Sequence, residues 1–297
     1  MRKPRVFISC TMDHNLDDRR RGLKREIIKR ISEAEFEPQI FFESGLPTDK
    51  AWNFNSVSEV MQRCQGAVIL GFPRWEVQTN ADALRITTEY NHYEGALALT
   101  LGIPTLVIAE QGTPDRGIFY SGGGQVITYM SPDASQQWLN DDYFKLRFNT
   151  WRKSVEGRFE VFFGYSSAAK ATADSILNYL SNRLGVKVKE YGTGFQSGGT
   201  ILEEIEKASQ TCLCGVFLFT CDDPLANGKD QASPRDNVIF EAGYFMKAKG
   251  KERTLIIREE GAKMPADIGG NIYLSLKNRL DTSTIRDDLR YFLETRL

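Results

Sequence analysis

Short apolar runs alternate with amphipathic segments along the whole chain, and the alternation runs twice. Gly66-Ala67-Val68-Ile69-Leu70-Gly71-Phe72 is apolar throughout, as is Cys214-Gly215-Val216-Phe217-Leu218-Phe219. Runs of this length with no polar alternation fit strands buried on both faces, which is the signature of a parallel sheet. A parallel sheet needs a crossover between strands, and segments with helical periodicity supply it. Each half therefore predicts an α/β fold, a doubly wound Rossmann/flavodoxin-like sheet of about five strands. The expected domains are 1–155 and 156–297. They share a layout that suggests a diverged duplication. Each opens on an aromatic-containing strand that leads into serine (Ser9; Ser166-Ser167), and each later carries a Glu-bearing helix, Glu94-Gly95-Ala96-Leu97-Ala98 or Glu241-Ala242-Gly243-Tyr244-Phe245.

Within the first half, the basic run Arg19, Arg20, Arg21, Lys24, Arg25, Lys29 and Arg30 falls on a helix expected over Asp17–Glu33. It reads as a solvated face, with an anion-binding or docking surface as the alternative. Continuous helices are expected from Ser131 to Val155 and from Ala168 to Leu184. Tyr191–Gly199 forms a glycine-rich loop, and Thr200 with Glu203 has capping-box spacing.

A net charge of −1 gives no general attraction for nucleic acid or membrane. No apolar run reaches the length of a membrane span, and the start lacks a signal-peptide apolar region. The five cysteines, an odd number, lie mostly in apolar runs. Reduced core thiols and a cytoplasmic setting are the reading, with no metal site, because no second Cys/His pair stands at zinc spacing. No Walker loop and no GxGxxG occurs, so no cofactor is expected.

The candidate chemistry lies in Ser233-Pro234-Arg235-Asp236-Asn237-Val238-Ile239-Phe240-Glu241. Ser233 reads as an N-cap with Pro234 at the first helical position. The helix thus starts where the chain leaves the carboxyl end of a strand, the edge at which open α/β sheets bind ligands. Asn237 and Glu241 are one turn apart and share a face. Glu241 among apolar neighbours is either a solvated or capping residue, or a desolvated carboxylate with a chemical role. A lone carboxylate at such an edge suits chemistry at a sugar anomeric carbon. It can stabilise, attack or orient an oxocarbenium-like centre. Nicotinamide leaves NAD+ as a neutral molecule from a cationic ring, so no general acid is needed.

Phe162-Phe163-Gly164-Tyr165-Ser166-Ser167, Cys221-Asp222-Asp223, Pro234 to Phe245 and Met264-Pro265-Ala266-Asp267-Ile268-Gly269 resemble the bacterial TIR-like, predicted nucleotide-binding family of the STING-associated type. The resemblance covers about residues 158–280. It implies an NAD+ glycohydrolase of antiphage defence with Glu241 catalytic and NAD+ as substrate. Phe162, Gly164, Tyr165, Ser166, Ser167, Phe195, Asp222, Arg235 and Asn237 are the implied substrate contacts, with Asp222, Asp223 and Arg235 alternatively bracing the loop. An acidic residue frequent in the family's second loop is replaced here by Thr193. The resemblance also implies homo-oligomerisation, and a nucleotide second messenger or a defence partner protein as activator.

Glu94 to Pro104 is similar to the Glu-bearing helix and next strand of nucleoside 2-deoxyribosyltransferase-like proteins. That resemblance implies a second site at Ser9 and Glu94, with nucleoside N-glycosidase or transferase chemistry as one alternative. A sensor or assembly module is the other, and a non-enzymatic nucleotide-binding scaffold is a third reading of the whole chain. The family's early Gly-Pro loop is absent; Ser9-Cys10-Thr11-Met12-Asp13 stands there. His92 reads as a packing residue.

Overall fold

The computed structural model describes residues 2–41, 43, 52–79, 83–190, 200–224, 232–266 and 273–297, with the side chain of residue 201 left aside. The expected loop at 191–199, with Phe195 and Thr193, lies outside them, as do residues 267–269. The chain forms two compact units, Lys3–Gly157 and Arg158–Leu297.

The first unit runs β1 (Arg5–Cys10), α1 (Asp18–Glu33), β2 (Glu37–Gln39), α2 (Phe54–Met61), β3 (Gly66–Gly71), β4 (Trp75–Gln78), β5 (Ala83–Ile86), α3 (Glu89–Thr100), β6 (Thr105–Glu110), β7 (Ile127–Met130) and α4 (Asp142–Glu156). Its sheet is parallel, in the order β2-β1-β3-β6-β7. The β4–β5 hairpin stands apart from it. Leu23, Ile27 and Ile31 of α1 and Phe144, Phe148, Trp151 and Val155 of α4 cover one face. The other face packs on Val57 and Met61 of α2 and Leu97 and Ala98 of α3.

The second unit runs β8 (Phe159–Gly164), α5 (Lys170–Asn178), β9 (Val188–Glu190), α6 (Ile201–Thr211), β10 (Cys212–Phe219), β11 (Asp223–Pro224), β12 (Ala232–Ser233), α7 (Asp236–Lys249), β13 (Thr254–Glu259), β14 (Tyr273–Leu276) and α8 (Arg286–Arg296). Its sheet is β9-β8-β10-β13-β14, again parallel. Both sheets therefore have the 2-1-3-4-5 order of flavodoxin-like folds, whose switch point lies between the first and third strands. Helices α5 and α8 cover one face. Helices α6 and α7 cover the other, over Phe162, Phe217, Phe219 and Ile256.

Four local expectations are corrected. The 131–155 helix is divided, because a 3-10 turn at Gln136–Asn140 precedes α4 and Asp141 caps the new start by accepting from the Tyr143 N–H. The 168–184 helix likewise ends at Asn178. A wider π turn at Tyr179–Arg183 follows, and Gly185 reverses the chain at φ +66°. Ser233 is no N-cap: it pairs with Asp223 in the β11–β12 ribbon, and α7 begins after Arg235.

The basic run of α1 is the fourth, because only Arg25 and Lys29 of it are exposed. Arg19 and Arg20 clamp the fully buried Glu110 at 2.6–2.8 Å. Lys24, only 2% exposed, pairs with Asp13 at 2.7 Å and Glu43 at 3.1 Å. Arg30 donates to the Leu139 carbonyl. The capping box at Thr200 and Glu203 is formed.

Candidate functional site

Glu241 occupies the second turn of α7, on the face that packs against β8, β10 and β13. Val238, Ala242 and Phe245 recur around it at helical spacing and bury that face. The carboxylate is carried into the core with them. It is 1% exposed, and neither oxygen has a hydrogen-bond partner among the described residues. Burial alone pushes its pKa up to about 8. A buried carboxyl with no hydrogen-bond partner among the described residues costs folding energy, which argues against a purely structural role.

Its position is set by Gly164, the last residue of β8. Oε2 lies 2.8 Å from where a Cβ at residue 164 would stand, and Phe217 Cδ1 closes on the same point at 2.7 Å. The carboxyl thus sits at the switch point of its sheet, against a backbone position kept bare by glycine.

Two residues further on, Ser166 Oγ is also buried without a partner among the described residues, and Ser167 opens a 3-10 turn at solvent. The Tyr165 hydroxyl donates to Glu190 at 3.0 Å and accepts from Lys170 at 3.3 Å. The Phe162 ring lies in the core, stacked on Phe245 with centroids 4.9 Å apart.

Among the remaining expected contacts, Asn237 is exposed on α7. Asp222 braces the loop: it accepts from the Thr220 hydroxyl at 2.8 Å and the Arg235 N–H at 3.2 Å. Arg235 itself pairs with Asp223 at 3.2 Å. These contacts are those of the bracing role, the alternative that the sequence left open for Asp222, Asp223 and Arg235.

Sequence reasoning missed the rest of that brace. Arg279 donates to Glu259 at 2.6 Å and to the Cys221 carbonyl at 2.9 Å, and its other terminal contact is Asp222 at 3.9 Å. Arg279 comes from a distant turn, so no local pattern could reveal it.

The first unit repeats the placement. Helix α3 packs against β1, β3 and β6, and Glu94 is 5% exposed. Unlike Glu241 it has partners: the Trp52 indole donates to Oε1 at 3.0 Å. Burial raises its pKa to about 7, with opposing hydrogen bonds from Ser9 and Trp52. Ser9 is 1% exposed and also accepts from the buried Asn91 amide at 2.8 Å. Sequence reasoning missed Trp52 and Asn91. His92 packs edge-on against Phe119, as its packing assignment requires.

All five cysteines are free. No group among the described residues could hold a metal ion, and no described helix is long and apolar enough to cross a membrane.

Residues 160–278 match the family model described as the CAP12/Pycsar effector protein, TIR domain. The C-terminal half matches a CAP12/Pycsar-type TIR domain. The chain is similar to the Pycsar effector protein BcPycTIR of Burkholderia cepacia, 37% identical over 79 residues, 26% of each chain. It is also similar to CD-NTase-associated protein 12 of Flavobacterium daejeonense, 35% identical over 100 residues, 32% of each chain. A CD-NTase-associated protein 12 of a Lachnospiraceae bacterium (strain RUG226) is 37% identical over 78 residues, 26% of this chain and 24% of the relative. These alignments span between 24% and 32% of the relatives' own lengths. In the TIR-like half, Glu241 and Gly164 both fall inside the matched span.

Proposed function

We propose that the TIR-like half cleaves the nicotinamide–ribose bond of NAD+ in an antiphage effector gated through the N-terminal unit and self-assembly. The observation that carries this reading is the unpartnered carboxyl of Glu241, buried at the switch point against Gly164. In the reaction the C1′–N bond breaks and its electron pair stays on the nicotinamide ring, which leaves neutral. The ionised Glu241 stabilises the cationic C1′, water adds there, and its proton passes to Glu241 or solvent, giving ADP-ribose. The positive nicotinamide ring favours the ionised carboxylate, which offsets the burial that favours the acid.

The effector role is supported by the names of the relatives, which speak of a Pycsar effector and of association with a CD-NTase. A nucleotide second messenger is the corresponding trigger. The test is NAD+ consumption by the purified full chain, alone and with cyclic nucleotides, beside Glu241→Gln. Turnover abolished by Glu241→Gln supports the reading; equal turnover in both proteins removes Glu241 from the mechanism.

A further inference from the structure

Helix α8 carries two stripes at helical spacing. Leu289 and Leu293 pack into the core and hold the helix in place. Asp288, Tyr291, Phe292, Thr295 and Arg296 make the second stripe, on a neighbouring face. That face is open: Tyr291 is 69% exposed. Between it and the first residues of β13 and β14 lies a cleft of about 630 Å³.

One wall of the cleft is a strand edge. β14 ends the sheet order and pairs with β13 on one side; no strand lies on its outer side among the described residues. Such an edge is a template for a further strand. Tyr273 and Leu274 of β14 face the cleft. The Tyr273 ring is fixed there, because its hydroxyl accepts from Arg258 at 3.2 Å and the guanidinium stands 5.4 Å from the ring centroid.

The two ends of the cleft carry opposite charge. At the amino edge of the sheet Lys251 is exposed, with no carboxylate partner among the described residues. Arg296 is brought beside it by Arg253, which donates to the Arg296 carbonyl at 2.9 Å. The Arg296 Nε is buried with no hydrogen-bond partner among the described residues, and the guanidinium reaches Glu252 only at 3.8 Å. Two cations against one carboxylate leave this end positive. At the other end Asp288 is exposed, and it has no cationic partner among the described residues, since Arg290 pairs with Asp287. A little over two helical turns, about 12 Å, separate Asp288 from Arg296.

A free strand edge, an aromatic wall and a positive end match an extended peptide that stops at that end. A terminal carboxylate on Lys251 and Arg296 places the last residue beside the start of β14, so the added strand runs antiparallel to it. Alternate side chains of a strand share a face. The last residue and the second before it therefore face Tyr291 and Phe292. The fourth before the last stands about 14 Å back, level with Asp288, and its matching charge is positive.

We propose that this cleft binds the carboxy-terminal segment of a partner protein as an added strand on β14, with an apolar last residue and a Lys or Arg four residues before it. None of the residues involved belongs to the Glu241 site, so the proposal does not depend on NAD+ cleavage.

The test is fluorescence anisotropy of the full chain with fluorescein-labelled Lys-Thr-Val-Thr-Leu bearing a free carboxyl terminus. Saturable binding with a Kd of about 100 μM or tighter is expected. Amidation of the peptide terminus and Arg296→Gln should each weaken it about tenfold. Tyr291→Ala, a change of an exposed side chain, should do the same. Asp288→Lys should weaken this peptide and strengthen one with Glu in place of Lys, whereas Glu241→Gln should leave both affinities intact. No saturation at about 0.5 mM protein would overturn the proposal, as would an affinity indifferent to both terminal amidation and Tyr291→Ala. Absence of peptide binding with a light-scattering mass that falls in Tyr291→Ala would make a second copy of this chain the occupant, and would overturn it too.

Discussion

Glu241 and Gly164 meet so closely that the last residue of β8 has no room for a side chain: Oε2 is 2.8 Å from the position of the missing Cβ. A methyl there must displace either the carboxyl or Phe217, and Phe217 is held by Phe162 and Phe245 in the core. Overpacking of this kind costs about 1–3 kcal/mol. Gly164→Ala should therefore fold with a lowered Tm, and its NAD+ cleavage should fall on the order of 100-fold because the reacting carboxylate is shifted. Thermal unfolding and kcat/KM check both. An unchanged kcat/KM would mean that the carboxyl's placement against β8 does not matter to the chemistry.

The pKa of Glu241 fixes a pH dependence. With burial holding it near 8, the free protein is mostly in the neutral form at pH 7. Only the ionised form can stabilise a cationic C1′. The value of kcat/KM for NAD+ should rise with pH and reach half its maximum near pH 8, since this quantity reports the free enzyme. The limb in kcat should lie lower, because the bound nicotinamide cation favours ionisation. Rates followed across neutral pH test this; a flat kcat/KM profile contradicts it.

How much of this was legible in the sequence differs from residue to residue. The two sheets were legible because runs such as 66–72 and 214–219 are apolar without alternation, and Glu241 because a carboxylate interrupts an apolar helix. The start of α7 was misread: Ser233 and Pro234 have capping chemistry, but pairing of Ser233 with Asp223 overrides the local preference. The basic run of α1 was misread for a related reason. Its counter-charge, Glu110, lies at the far end of another strand, and only the fold brings the two together. Trp52 and Arg279 carry no local pattern at all, so the partners of Glu94 and the brace beneath α7 were visible only in three dimensions.

Glu241 also links stability to pH. The unfolded carboxyl titrates at 4.5 and the folded one near 8. Between those values the folded protein holds a proton that the unfolded chain releases, so stability falls as pH rises through the window. Below 4.5 both states are protonated and the stability is intact. Replacement by Gln removes the titration. Glu241→Gln should match the wild type in acid and exceed it increasingly toward pH 8, by an amount on the order of a few kcal/mol. Hydrogen exchange in β8 and β10 at several pH values reads this directly. A mutant less stable than wild type near pH 8 would show that Glu241 holds the fold together.

Arg279 should matter to the site without touching it. Burial tends to raise the pKa of Glu259, but the hydrogen bonds from Arg279 and the Cys221 N–H outweigh this and hold it below its ordinary value. Arg279→Ala leaves that carboxylate without its cation and frees the Cys221 carbonyl, a loss of about 1–3 kcal/mol. The loop before α7 should loosen, raising KM for NAD+ more than it lowers kcat. Arg279→Lys, which keeps the charge but cannot make both contacts, should recover only part of the loss.

Glu110 gives a prediction confined to the first unit. Its carboxylate is fully buried and held by Arg19 and Arg20, while Arg20 also reaches Glu76 at 3.0 Å. Charge–charge attraction in a buried setting repays desolvation only while both partners remain. Glu110→Gln leaves two arginine heads facing a neutral amide and should destabilise this unit by about 3–5 kcal/mol. The double change Arg20→Met with Glu110→Gln should cost less than the sum of the single changes, because the two groups are directly coupled. Chemical unfolding of the four proteins in a double-mutant cycle measures the coupling. Additive losses would return the basic run of α1 to the solvated face that its sequence first suggested.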